Sequence, residues 1–194
     1  MSLDGYGQKD WMVTATGREI YPLHLKPEDV DIEDIAHSLS QQARYNGHCK
    51  FPYWVGQHSL IISWALERDG FDRAIQLEGL LHDSSEYITG DMTKPMKNSI
   101  RTAMREFGKE GWYKELEHSI ERIIAKKFGL NFPWSRFVEE YDTRIVIDEK
   151  EALFHRTKPW NLSTQGPLLV NIEEWKWDQC KALFLHRFAE LTGG

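Results

Sequence analysis

Four residues of the kind that bind metals, His58, His82, Asp83 and Asp142, stand inside three apolar stretches with helical character, and this constrains the fold more than anything else in the chain. The first stretch is Val55-Gly-Gln-His-Ser-Leu-Ile-Ile-Ser-Trp-Ala-Leu. The second is Arg73-Ala-Ile-Gln-Leu-Glu-Gly-Leu-Leu-His-Asp-Ser-Ser-Glu-Tyr-Ile, where Ile75, Leu77, Leu80, Leu81 and Ile88 supply enough apolar residues for a buried helix. The third is Arg136-Phe-Val-Glu-Glu-Tyr-Asp-Thr-Arg-Ile-Val-Ile-Asp. A divalent cation needs imidazole nitrogens and carboxylate oxygens converging on one point, and a mixed nitrogen and oxygen set suits Zn, Mn, Co, Fe or Mg better than a soft thiolate site would. His58, His82, Asp83 and Asp142 can meet only if three helices converge. Neighbouring helical residues point about 100° apart, so His82 and Asp83 reach one ion only if it sits against their helix; Glu86, at i+4 from His82, then shares that face.

The remaining segments read as an all-α chain with at most a short N-terminal β-hairpin. Two β-prone runs flank Thr16-Gly17 in the stretch 11–22. Asp31 is placed to cap a helix carrying Ile32, Ile35, Ala36 and Leu39. Further helices are expected from 99 to 107 and from 112 to 128, where Leu116, Ile120, Ile123 and Ile124 form a stripe closed by Gly129. Ser135 can cap the helix of Asp142. A Pro- and Gly-containing loop at 157–167 leads to a last helix near 172–191, with Trp175, Cys180, Leu183, Phe184 and Phe188 inward. We read one domain: an N-terminal extension (1–30), a metal-binding helical core (31–155), and a loop with the C-terminal helix (156–194).

A chain of 194 residues is long enough to bury a sizeable core. No apolar run is long enough to span a bilayer and residues 1–10 lack the pattern of a signal peptide, so the expectation is a cytoplasmic protein without membrane contact. Two cysteines, Cys49 and Cys180, form neither a disulfide framework nor a thiolate site. A net charge of −6 argues against a polymeric nucleic-acid surface, which depends on many phosphate contacts. A small phosphate-bearing ligand needs only a local cluster, for which Arg44, Lys94, Lys97, Arg101 and Arg105 are candidates; a solvated stripe is the simpler reading of Arg101 and Arg105. Of the eight tryptophans, Trp64 and Trp112 lie on helical stripes and Trp54 lies close to His58. The other histidines lack partners in a matching pattern: His24 and His48 fall in loops, and His37, His118, His155 and His186 in helices.

The order His58, His82-Asp83, Asp142 resembles the HD-domain phosphohydrolases. The run His82-Asp-Ser-Ser-Glu-Tyr-Ile-Thr-Gly-Asp-Met-Thr-Lys-Pro-Met-Lys97 is similar to a segment of the 5'-deoxynucleotidase branch, which includes phage-type dATP triphosphohydrolases. Ala43-Arg-Tyr-Asn-Gly47 and Trp54-Val-Gly-Gln-His-Ser59 are similar to the segments with which that branch holds substrate and supplies its first ligand. The similarity covers roughly residues 32–154. It implies an HD-domain helical bundle and a divalent metal on His58, His82, Asp83 and Asp142. It also implies a deoxynucleotide substrate, a homo-oligomer, and a link between Asp91 and preference for the deoxy sugar. On this reading Glu86 is the general acid or water orienter, with Asp91 second choice, and Arg44 and Lys97 face the phosphate. Tyr45 is the aromatic for base or sugar contact, with core packing as its alternative. Orthophosphate release from a dNMP and triphosphate release from a dNTP both fit. A non-catalytic nucleotide sensor is the alternative, and a cyclic-nucleotide phosphodiesterase ranks below it.

Overall fold

The Thr16-Gly17 turn brings β1 (Met12–Val13) antiparallel to β2 (Glu19–Ile20), Met12 opposite Ile20 and Val13 opposite Glu19. This hairpin opens a computed structural model that describes residues 10–155, 158, 160 and 164–193. Thr16 donates from its amide and its hydroxyl to Asp34 at 2.7 and 2.8 Å, which fastens the turn to α1 (Ile32–Leu39). Asp31 caps that helix by accepting from the Glu33 amide. Beyond the hairpin the described chain is helical, and the fold is all-α.

The element at the centre is α2 (Val55–Arg68), buried from Val55 to Ser63 and again at Ala65 and Leu66. Its polar Gln57, His58, Ser59 and Ser63 are buried along with its apolar residues, so the helix lies in the interior and separates two clusters. Val55 and Leu60 pack with Ile35, Leu39, Leu80, Leu81, Ile124 and Phe184; Ile61, Ile62 and Leu66 pack with Val138, Tyr141, Ile145 and Leu153. Helix α3 (Arg73–Leu81) lies against α2 with Gly79 at the crossing, where a Cβ would come within 2.5 Å of Leu66 Cδ1. Helix α6 (Trp112–Phe128) has the expected bounds and is closed by Gly129 in the left-handed conformation, and α7 (Arg136–Leu153) starts as expected, opened by the Ser135 side chain on the Phe137 amide.

The structure departs from the sequence pattern in several places. The helix expected through residue 88 ends at Leu81: the Ser84 amide and hydroxyl both donate to the Leu81 carbonyl, which tightens the chain into a turn before the short α4 (Glu86–Thr89). Helix α5 (Lys94–Arg105) begins five residues earlier than expected, with Pro95 in its first turn. The last helix, α8, runs Trp177–Thr192. Residues 172–176 stay outside it because side chains at the start of α2 and just before it capture their carbonyls: Trp54 Nε1 donates to Trp175 O at 2.9 Å and Gln57 Nε2 to Glu173 O at 2.8 Å. Trp175 still packs inward, but from an extended segment. Trp112 is half exposed at the start of α6, and His155 falls just beyond α7. Part of the loop expected at 157–167, namely Thr157, Pro159 and residues 161–163, lies outside the described residues, as do residues 1–9 of the N-terminal stretch. Among the described residues, no helix is long and apolar enough to cross a membrane.

Candidate metal centre

Three helices do converge on the residues singled out from sequence. His58 comes from the first turn of α2, His82 caps the C-terminus of α3 with Asp83 in the turn that follows, and Asp142 lies on α7. His58, His82 and Asp83 each bring a donor atom within 4.8 Å of the others. His58 Nε2 lies 3.6 Å from Asp83 Oδ2 and 3.1 Å from Asp142 Oδ1, and His82 Nε2 lies 3.3 Å from Asp83 Oδ1 and 3.9 Å from Asp142 Oδ1. Both imidazoles are buried, and neither Nε2 takes part in a hydrogen bond of ordinary geometry among the described residues.

The other ring nitrogens are engaged. His82 Nδ1 lies 2.9 Å from the Gly79 carbonyl, which can only accept, so Nδ1 carries a proton and donates it, and Nε2 is the nitrogen that faces the cluster. His58 Nδ1 lies 2.6 Å from Glu149 Oε1. Burial opposes the Glu149 charge, but Arg44 and His58 hold its carboxyl down to about 2, so it too is an acceptor and His58 also donates from Nδ1. Two buried nitrogens with oriented rings and two carboxylates beside them fit a divalent cation of the Zn, Mn, Co or Fe kind. Burial would raise Asp83, yet His82, His58 and Arg44 keep it ionised and far below the usual carboxylate range. Asp142 is lowered as well, because the His58 imidazole outweighs its desolvation.

Around this cluster the remaining candidates divide. Glu86 is buried, with Oε1 3.7 Å from Lys97 Nζ and Oε2 without a hydrogen-bond partner among the described residues. Its burial, reinforced by Asp83 and Asp91, pushes its carboxyl well above the ordinary range. Lys97 reaches in from α5 to Glu117 at 2.8 Å, and these acids keep it charged against the pull of desolvation. Asp91 follows Gly90, whose φ of 75° and ψ of 154° belong to a region that side chains disfavour. Its amide donates to Gln42 Oε1 at 2.9 Å. Arg44 places Nη1 3.2 Å from Asp83 and its guanidinium 3.5 Å from Glu149. The Tyr45 hydroxyl donates to Glu149 while its ring meets Phe154 edge-on at 5.2 Å. Lys94, Arg101 and Arg105 are exposed on α5.

Sequence reasoning missed Glu149, Gln42, Glu117 and Glu121. Glu149 occupies a core position of α7, in step with Val138, Tyr141, Asp142 and Ile145, and a charge on an apolar stripe is the signal that marks it. Gln42 bridges segments 49 residues apart, binding the Glu86 carbonyl at 3.0 Å as well as the Asp91 amide. Glu121, one turn beyond Glu117 on α6, is pushed up to about 7 by burial and then by Glu117 and Asp83.

Fold and site together define an all-α protein whose helical core holds a His/Asp cluster able to accept a metal ion. The chain is 35% identical over 154 residues to the uncharacterized protein RCAP_rcc00048 of Rhodobacter capsulatus, covering 75% of this chain and 74% of that one. It belongs to the same family as that protein. It is also 29% identical over 140 residues to the uncharacterized protein YfdR of Escherichia coli, covering 72% and 70%. No family model matches.

Proposed function

We propose that the protein is a metal-dependent phosphohydrolase of the HD-domain type acting on deoxynucleotides. The observation that carries this reading is the pair of buried, oriented imidazoles whose Nε2 atoms face Asp83 and Asp142 and take part in no hydrogen bond of ordinary geometry among the described residues. His58, His82, Asp83 and Asp142 would hold the cation, which supplies Lewis acidity for attack at phosphorus. Burial, with the charges of Asp83 and Asp91 beside it, raises the Glu86 carboxyl well above its ordinary range, which suits it to donate a proton to the departing oxygen. Lys97, anchored by Glu117, offers positive charge to the phosphoryl oxygens, and Arg44 does so from the opposite chain segment. Asp91, whose amide is held by Gln42, is assigned to the sugar. An acid poised in this way has no purpose in a sensor that only binds, which favours the enzyme.

Of the candidate cations, Arg44 reaches Asp83 and Lys97 reaches Glu86 while Lys94, Arg101 and Arg105 are exposed, which suits one phosphoryl group better than three and favours a 5'-deoxynucleotidase over a triphosphohydrolase. Exposed Met96, Phe107 and Trp112 leave apolar surface on α5 and at the α5/α6 junction for the self-association that the resemblance implies. Incubation of metal-supplemented protein with each dNMP, NMP and dNTP, resolving orthophosphate from triphosphate, tests the reaction. Orthophosphate from dNMPs is the expected product. Triphosphate from dNTPs would reassign the substrate, and no product with any metal would replace the enzyme by the nucleotide sensor.

A further inference from the structure

The carboxylate of Glu149 touches His58 but stands on the wrong side of the ring to share its ligand. Nδ1 and Nε2 point away from one another across the imidazole, and Glu149 meets Nδ1 at 2.6 Å while Asp83 and Asp142 gather at Nε2. Its second oxygen accepts from the Tyr45 hydroxyl, and the Arg44 guanidinium lies 3.5 Å from both oxygens. Glu149 is completely buried, so these groups, rather than water, stabilise its charge. The turn that delivers Arg44 and Tyr45 is itself strained: Tyr45 and Asn46 have φ of 56° and 52°, a left-handed region that non-glycine residues disfavour.

We infer that Glu149 is a positioning residue: it fixes the His58 ring with Nδ1 as donor and Nε2 free for the metal, and with the same carboxylate it fastens the strained Arg44-Tyr45 turn beside the site. This rests on the proposed metal site and deepens it. The reasoning is one of acceptor chemistry. A carboxylate can only accept, whereas an amide in its place offers both an oxygen and an NH₂ and so permits either ring orientation. Acceptors behind a ligating histidine also raise its basicity, and their removal typically weakens metal binding 10–100-fold. His82 provides an internal control, because its Nδ1 partner is the Gly79 backbone carbonyl, which no substitution at residue 149 removes.

The test compares wild type with Glu149→Gln in two measurements. The first is NMR of ¹⁵N-histidine-labelled metal-free protein, where the Nδ1 proton of His58 is expected as a slowly exchanging downfield signal in wild type. In the variant that signal is expected to move upfield or vanish while that of His82 is unchanged. The second is Co(II) titration, where a 10–100-fold weaker dissociation constant is expected in the variant. Glu149→Asp, which keeps the charge for Arg44 but withdraws it from His58, is expected to weaken Co(II) binding as well and serves if the Gln variant does not fold. Equal Co(II) affinity in wild type and both folded variants overturns the assignment, as does a wild-type spectrum without the His58 Nδ1 signal. Failure of the wild type to bind Co(II) refutes the metal site instead, and the Nδ1 proton then still decides whether Glu149 orients the ring.

Discussion

Two buried polar networks use different faces of α2, and they are finished to different degrees. His58 and Ser63 are five residues apart and so point about 140° from each other around the helix. At Ser63, Arg187 of α8 donates from Nε to the hydroxyl at 3.1 Å, and its Nη2 reaches the Ser63 carbonyl at 3.4 Å and Gln76 Oε1 at 2.8 Å. The Ser63 hydroxyl in turn donates to the Gln76 carbonyl at 2.9 Å, and Glu67 and Glu190 meet the guanidinium at the rim. The side-chain donors and acceptors of Arg187, Ser63 and Gln76 are all engaged, so the cluster explains itself as a clamp joining α2, α3 and α8. At His58 and His82 the same care is taken on one side only: both Nδ1 atoms are committed, and both Nε2 atoms lie beside carboxylates without a hydrogen bond of ordinary geometry among the described residues. Buried polar groups are normally satisfied. The satisfied network holds the fold, and the unsatisfied one points to a ligand.

Breaking the open network should have the largest effect. Asp83→Ala is expected to abolish both metal retention and turnover, checked by metal analysis after gel filtration and by phosphate release; full activity would remove Asp83 from the site. Glu86→Ala should keep the metal and lower turnover about 10²–10⁴-fold, the usual scale for a general acid. Metal loss in that variant would place Glu86 among the ligands.

The closed network should respond in the opposite currency. Arg187→Ala leaves Ser63 and Gln76 acceptors buried without their donor, a loss of roughly 3 kcal/mol. That corresponds to a fall in Tm of roughly 6–12 °C for a chain of this length, with Co(II) affinity per folded molecule unchanged. A smaller effect, visible only with pH, comes from Glu121. Its carboxyl, about 7 when folded against an ordinary 4.5, binds its proton more tightly in the folded state. Folding stability is therefore lost as pH rises from about 4.5 through about 7 and stays reduced above. Glu121→Gln should raise the Tm of the metal-free protein at pH 8 and leave it near wild type at pH 4.5, as thermal melts at the two values will show.

Much of this was legible in the sequence wherever the deciding interaction is local. Asp31, Ser135 and Gly129 mark helix ends because a cap acts within a few residues, and the stripe of α6 is set by its own spacing. Of the site candidates, His82, Asp83, Glu86 and Asp91 were legible because they are close in the chain. The break after Leu81 was not, since it depends on a Ser84 hydroxyl competing with a helix that the apolar pattern would continue. Glu149 and Gln42 escaped because their partners lie up to 105 residues away, and only the fold brings Arg44, His58 and Glu149 together. The late start of α8 has the same origin, in Trp54 and Gln57 reaching across to carbonyls more than a hundred residues on.

The most direct test of the difference between the two networks is a Co(II) titration of metal-free wild type, Asp83→Ala and Arg187→Ala, followed by visible absorption. Wild type is expected to show a saturable site with the ligand-field bands of nitrogen and oxygen donors, Arg187→Ala the same site, and Asp83→Ala none. A wild-type protein that takes up no Co(II), or an Asp83→Ala variant that binds it as tightly as wild type, would contradict the metal site.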